Sequence, residues 1–171
     1  MTPAVERFVL HWGEMGSRWG VNRSVAQIHA YMFVATSPVS AEDIARDLNL
    51  ARSNVSNSVK ELLSYQLIRQ TPVKGDRRDF FEAETDPWQV MMRLSEARKQ
   101  KEIDPAIAML DQALREIKEE GKADPAVIKR LEGLDALLGQ MAGWYDQVKR
   151  LPQGVLKALV KLGGKVGGLV K

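Results

Sequence analysis

Arg52, Ser53, Ser56, Asn57 and Lys60 stand at offsets of 0, 1, 4, 5 and 8, which puts them on one stripe of a helix. Their chemistry suits a hydrogen-bonding, negatively charged surface. Asparagine pairs with the edge of adenine, and arginine with guanine or with phosphate. Serine meets either bases or phosphates. Asn54 lies beside the stripe and joins the same candidate set. Val55, Val59, Leu62 and Leu63, at offsets of 0, 4, 7 and 8, form the opposite face that such a helix buries. Taken alone, the serine–asparagine run fits a solvated helix face equally well.

The flanking elements decide between those readings. Ser40-Ala41-Glu42-Asp43 has the form of a capping box, with Asp43 in the place usually held by Glu or Gln. It predicts a short helix with Ile44, Ala45 and Leu48 facing inward, then a tight turn at Asn49-Leu50 before the candidate helix begins near Arg52. After that helix the period changes. Leu67 to Val73 reads as a strand, Lys74-Gly75-Asp76-Arg77-Arg78 as a turn, and Phe80, Phe81 and Ala83 as a returning strand. Two short helices, a turn and a hairpin make a winged helix-turn-helix, whose second helix is built to lie in the major groove. Lys74, Arg77 and Arg78 at the hairpin tip are placed to reach backbone phosphates or a narrow minor groove. Double-stranded DNA is the expected partner.

Charge agrees once it is located. The net +3 conceals an acidic body and a basic tail: residues 86–148 sum to −3, whereas residues 149–171 carry six cations and no acid. Within the body, residues 51–78 stand at +4. The DNA expectation therefore rests on local charge and not on the pI.

The stretch Ala41 to Ser56 resembles the helix-turn-helix of MarR-type regulators, and Gly75-Asp76-Arg77-Arg78 resembles their wing signature. Gly20-Val21-Asn22-Arg23-Ser24 and the run from Asp79 to Trp88 narrow the resemblance to the GbsR-like branch, whose best-known members regulate osmoprotectant uptake and synthesis. It covers residues 5–95 well and the later helices loosely. The resemblance implies a dimer held by terminal helices, with one recognition helix per half-site. It implies that Asp76 and Arg78 brace the wing by pairing and leave Arg77 for the minor groove. It also implies a small effector such as an osmoprotectant. One residue departs from the pattern: Ala51 stands where serine is usual, a change that at a helix cap costs about 1 kcal/mol.

The rest of the chain reads as helix. Thr2 and Pro3 open a first helix whose face is Val5, Phe8, Val9, Trp12 and Trp19; Gly13 and Gly16 weaken it and Gly20 ends it. Asn22 caps a second, with Val25, Ile28, Met32 and Phe33 inward, running to about Thr36. A long helix from Asp86-Pro87 to Glu120 carries Ile103, Ile107, Leu110, Leu114 and Ile117. Another, from Asp124-Pro125 to about Arg150, carries Val127, Leu131, Leu134, Leu138 and Met141. Both seams repeat at 4, 3, 4 and 3, which fits a hairpin within one subunit and an interface between two. The fold expected is mainly α with a small β-hairpin wing and long C-terminal dimerisation helices. Its parts are a winged helix-turn-helix domain with its N-terminal helix at 1–86, a helical dimerisation region at 87–150, and a basic amphipathic tail at 151–171.

Trp12, Trp19, Tyr31 and Trp88 are candidates for an aromatic cage around a cationic effector, since aromatic faces bind quaternary ammonium ions. Core packing is the plainer use of such residues. His11 and His29 read as packing histidines with satisfied nitrogens. In the tail, Val155, Leu159, Leu162, Val166 and Leu169 alternate with Lys157, Lys161 and Lys165. That pattern suits an anionic membrane surface, contacted by residues 153–171, or DNA phosphates. Gly163, Gly164, Gly167 and Gly168 predict helix on binding and not in solution. A mobile tail, or one packed on the dimer, is the plainer alternative.

Several classes fall away. The chain has no cysteine and only two histidines, so no thiol chemistry and little metal chemistry remain, and neither metal nor cofactor is expected. Phosphate loop, nucleophile–base pair and dinucleotide site are missing, so no enzyme is expected. Without a signal peptide or an apolar run of about 18 residues, the default compartment is the cytoplasm. The function read from the chain is a homodimeric, sequence-specific transcriptional regulator. Repression is the simpler mode, because a small dimer most readily acts by occluding a promoter. The rivals are a winged-helix protein-interaction module and a membrane-associated adaptor acting through the tail.

Overall fold

The computed structural model describes residues 1–166, with eight α-helices and three strands among them. The chain folds as two compact units, Met1–Leu94 and one that begins at Ser95. The first two turns of α5 (Pro87–Arg98) belong to the first unit, because Val90 and Leu94 pack on its core. That is why its edge lies eight residues beyond the Asp86-Pro87 break.

Helix α1 (Pro3–Arg18) starts at Thr2, whose hydroxyl accepts from the Val5 amide at 3.4 Å. Its buried face differs from the expected aromatic one. Val9, Gly13 and Gly16 are buried, whereas Phe8 is partly exposed and Trp19 is 62% exposed. The glycines are the contact surface with α2 (Arg23–Phe33): a Cβ on Gly13 would stand 2.3 Å from Gln27 Cγ, and one on Gly16 2.5 Å from the Ala26 Cβ. Residues that weaken the helix alone let two helices approach closely. Helix α2 also ends three residues before Thr36, at the Val34 C-cap.

The capping box forms as read. Ser40 Oγ accepts from the Asp43 amide at 3.2 Å and opens α3 (Ala41–Asp47). Three helices close alike: the amides of Val21, Leu50 and Leu67 bond to the carbonyls of Gly16, Ala45 and Leu62, five residues back. This Schellman geometry needs a left-handed residue, supplied by Gly20, Asn49 and Gln66. Asn49 thereby makes the tight turn between α3 and α4 (Arg52–Ser64). The sheet has three strands, ordered β1-β3-β2, where a two-stranded hairpin was expected. β1 (Val39–Ser40) pairs with β3 (Phe80–Ala83) through Val39–Phe81 and Ser40–Phe80, and β2 (Ile68–Thr71) with β3 through Ile68–Ala83 to Thr71–Phe80. Two residues are too few to show any alternation, so β1 is invisible to pattern. Val25, Ile28, Met32, Ile44, Val55, Leu62 and Phe81 make the core beneath.

In the second unit the expected single helix to Glu120 is interrupted. A π-helical segment, Lys99–Ile103, separates α5 from α6 (Asp104–Glu120). Pro105 has no amide to donate, so the ladder loses a bond there and changes register. Gly121, at φ 62°, stops α6. Asp124 caps α7 (Pro125–Val148) by accepting from the Ala126 amide at 2.7 Å. Lys99 joins Asp104 at 2.8 Å and Asp146 at 3.4 Å, and Lys149 joins Glu96 at 3.0 Å. Helix α8 (Gln153–Val166) forms across Gly163 and Gly164, against the expectation of helix only on binding. Leu156 is buried, whereas Val155, Leu159 and Leu162 of the 4-3-4-3 series remain 45–55% exposed. Gly167, Gly168 and Leu169 lie outside the described residues.

Candidate nucleic-acid interface

Helix α4 carries the first half of the site. Val55, Val59 and Leu62 are buried, and this fixes which face turns outward. Arg52, Ser53, Ser56, Asn57 and Lys60 are all exposed, as one stripe. Arg52 and Lys60 at its ends pair with no acid among the described residues, so both ammonium and guanidinium charges face solvent. Asn54 differs. It is half-buried, and its amide donates to Ser24 Oγ at 2.9 Å, tying the first turn of α4 to the start of α2. No side chain caps α4 at Ala51, and the Asn54–Ser24 bond anchors that end instead. The sequence pattern gave no signal for this bond, because its partner is 30 residues away.

The wing carries the second half. The Asp76 amide donates to the Val73 carbonyl at 3.2 Å, and Gly75, at φ 85°, takes the left-handed position of the turn. Lys74 and Arg77 are exposed at the tip and have no charge partner among the described residues. Arg78 is held. Its Nη2 lies 2.6 Å and its Nε 3.0 Å from Asp76 Oδ2. Its Nη1 donates to Ser40 Oγ at 3.2 Å and lies 3.9 Å from Asp43 Oδ2, and the guanidinium sits 5.0 Å from the Phe80 ring centroid. The Arg78 side chain, helped by its backbone N–H, holds the Asp76 carboxyl down at about 2. At neutral pH both partners are charged and the tip is rigidly supported.

Behind the wing, Asp43 accepts from Ser40 Oγ at 2.6 Å, which keeps its carboxyl below the usual range, and pairs with Arg46 at 3.0 Å. Arg46 bonds Asp47 at 2.8 Å, and Asp47 accepts from the Tyr31 hydroxyl at 2.7 Å. Burial first, and then Asp47, push the Tyr31 hydroxyl well above its ordinary range. One polar chain thus runs from α2 across α3 to the wing.

The four aromatic candidates fall in separate places. Trp12 is half-buried with its ring 5.6 Å from Phe8, and Trp19 is exposed at the C-cap just past α1. Tyr31 faces Asp47. Trp88, at the start of α5, has a buried indole N–H with no hydrogen-bond partner. Neither the Trp12 nor the Tyr31 contact joins two of the four. An open cavity of about 410 Å³ lies beside β2, between Leu63, Gln66, Glu84 and Arg93, and none of the four lines it. His29 packs at 6.2 Å from Phe33, but its Nε2 is buried without a partner, so it packs unsatisfied. Burial brings its pKa down to about 4. His11 is exposed. Among the described residues no group of three or more His, Asp or Glu could hold a metal ion.

Comparison with known proteins finds the same fold. Residues 19–79 match the model of the MarR family. The chain is 20% identical over 151 residues to the HTH-type transcriptional repressor OpcR of Bacillus subtilis (strain 168), covering 86% of this chain and 82% of that one. It is 21% identical over 141 residues to the HTH-type transcriptional repressor GbsR of the same organism, covering 80% and 77%. A crystal structure of a transcriptional regulator superposes with a TM-score of 0.67 at 21% identity, over 85% of this chain and 95% of that one.

Proposed function

We propose, from the winged-helix fold and the match of residues 19–79 to the MarR family, that this chain is a DNA-binding transcriptional regulator and acts in the cytoplasm as a homodimeric repressor. The observation that carries the reading is the exposed stripe of Arg52, Ser53, Ser56, Asn57 and Lys60 on a helix whose opposite face is sealed in the core. The stripe reads or positions the major groove. Lys74 and Arg77 meet phosphate or minor groove, and Arg78 and Asn54 hold these surfaces in place. The repressors OpcR and GbsR support the sign of regulation. The GbsR-like resemblance supports a small effector of the osmoprotectant class.

The dimer is supported by α7. Leu131 and Leu138 are half-buried, whereas Val127, Leu134, Leu137, Met141 and Trp144 remain between 43% and 66% exposed along one side. The seam is thus divided, and its outward half needs a second copy to cover it. Two copies present two recognition helices to half-sites about one helical turn apart.

The test is titration of the purified chain onto its own upstream intergenic DNA across a range of salt, with unrelated DNA as control. Specific binding whose log affinity falls linearly with log salt is expected. Absence of DNA binding even at low salt would move the reading to a protein-interaction module. A second reading is favoured by α8, where Lys157 and Lys161 stand apart from exposed Val155, Leu159 and Leu162. Such a helix suits an anionic membrane surface. Co-sedimentation with anionic vesicles, full chain against a truncation at Pro152, checks that adaptor role.

A further inference from the structure

Arg78 closes the wing on Asp76, yet the same guanidinium also reaches the opening of α3. Its Nη1 donates to Ser40 Oγ at 3.2 Å, and Asp43 Oδ2 lies 3.9 Å away. Asp43 is the third residue of α3, and its carboxylate already accepts from Ser40 Oγ at 2.6 Å and from the Ser40 amide at 3.3 Å. Ser40 is fully buried, so this anchor is part of the folded body. The hairpin tip is otherwise tied to the body only through its strands, because Lys74 and Arg77 have no charge partner among the described residues. A guanidinium fixed on both sides sets the direction of the backbone at Arg77, its neighbour.

We propose that Asp43 is a positioning residue for DNA binding: through Ser40 and Arg78 it aims the wing so that Arg77 meets the duplex. Asp43 touches no DNA in this arrangement and acts only through the wing. The second carboxylate oxygen, Oδ1, is taken by Arg46 at 3.0 Å. Arg46 in turn bonds Asp47, which accepts from Tyr31 on α2, so the aim of the wing is referred to the middle of the winged-helix unit. The inference rests on the DNA-binding reading above and goes beyond the Asp76–Arg78 pair, which fixes the shape of the tip but not its direction.

A double-mutant cycle on the full chain tests it, read as affinity for a mapped operator at fixed salt. Asp43→Asn should lower affinity about tenfold in the native background and less than twofold in an Arg77→Ala background, since coupled residues are non-additive. Asp43→Glu should restore binding, because a Glu at this capping position keeps the carboxylate. The same factor lost in both backgrounds, or no loss at all, would overturn the proposal. If Asp43→Asn shows no cooperative melting transition, Arg78→Lys replaces it in the cycle and leaves the α3 cap complete. Additivity of Arg78→Lys with Arg77→Ala then overturns it equally. A native chain that binds no DNA would instead bring down the functional reading, and this inference with it. A native chain that binds, with an additive cycle, would bring down this inference alone.

Discussion

At the scale of single residues, the proposed DNA-binding role separates side chains that would meet the duplex from side chains that hold others still. Arg77 belongs to the first kind. Arg77→Ala should weaken operator binding about tenfold and lower the salt slope by about one, without moving the melting temperature. An unchanged affinity in a filter-binding or anisotropy titration would remove the wing from the interface. His29 is a different case. Burial holds its folded pKa at about 4, below the ordinary histidine value of 6.5, so the unfolded chain binds the extra proton between those values. Stability from this group is complete above about pH 6.5 and is lost as pH falls toward 4, by up to about 3 kcal/mol. Denaturant midpoints at pH 7 and pH 4.5 check this. His29→Leu should flatten the dependence, and an unaltered slope would show that other groups carry it. The stripe on α4 was legible because burial of Val55 and Leu62 fixes the outward face by periodicity alone. The roles of Asn54 and Ser40 were not, because Ser24 and Arg78 are reached across the fold.

Elements show where local preference and packing part company. Helix α4 begins without a side-chain cap at Ala51. Ala51→Ser should therefore stabilise the chain by about 1 kcal/mol, measured as a rise in unfolding free energy at unchanged denaturant slope. The two glycines of α1 make a paired prediction. Gly16→Ala drives a Cβ to 2.5 Å from the Ala26 Cβ, which cannot move without its helix, and should cost about 1–3 kcal/mol. Gly13→Ala meets the flexible Gln27 side chain instead and should cost less, part of it offset by better helix propensity. Equal costs would mean that α1 and α2 are not held at this separation. Caps and breaks were legible in the sequence at Thr2, Asn22, Ser40, Gly121 and Asp124, since each acts within a few residues of itself. The two-residue β1 and the π segment before Pro105 were not. The first exists only because β3 offers it partners, and the second is a local rearrangement around a proline that periodicity bridges.

For the molecule as a whole, the unresolved demand is the apolar side of α7. Leu134→Glu with Met141→Glu should convert the proposed dimer to a monomer in sedimentation velocity. It should lower operator affinity about 100-fold or more, as the linkage of two half-sites is lost. The winged-helix unit should stay folded, because its core contains neither residue. A variant that remains dimeric would place the subunit interface elsewhere. Helix α8 carries exposed Val155, Leu159 and Leu162 on one side, and Lys157 and Lys161 stand exposed on another. No described helix is long and apolar enough to cross a membrane.

The sequence by itself determined the winged-helix class, the caps at Thr2, Asn22, Ser40 and Asp124, the stop at Gly121 and the face of α4 that turns outward. These follow from periodicity, capping and turn chemistry, which act over one or two turns of chain. Only the tertiary structure decided that Gly13 and Gly16 are contacts and not flaws, that Asn54 is tied to Ser24, and that Arg78 reaches Ser40 as well as Asp76. It also decided that Ser40 and Asp43 support the wing as well as a helix start, and which half of the α7 seam is left uncovered. Each of these depends on a partner brought close by folding, and a spacing rule carries no information about residues that meet only in space.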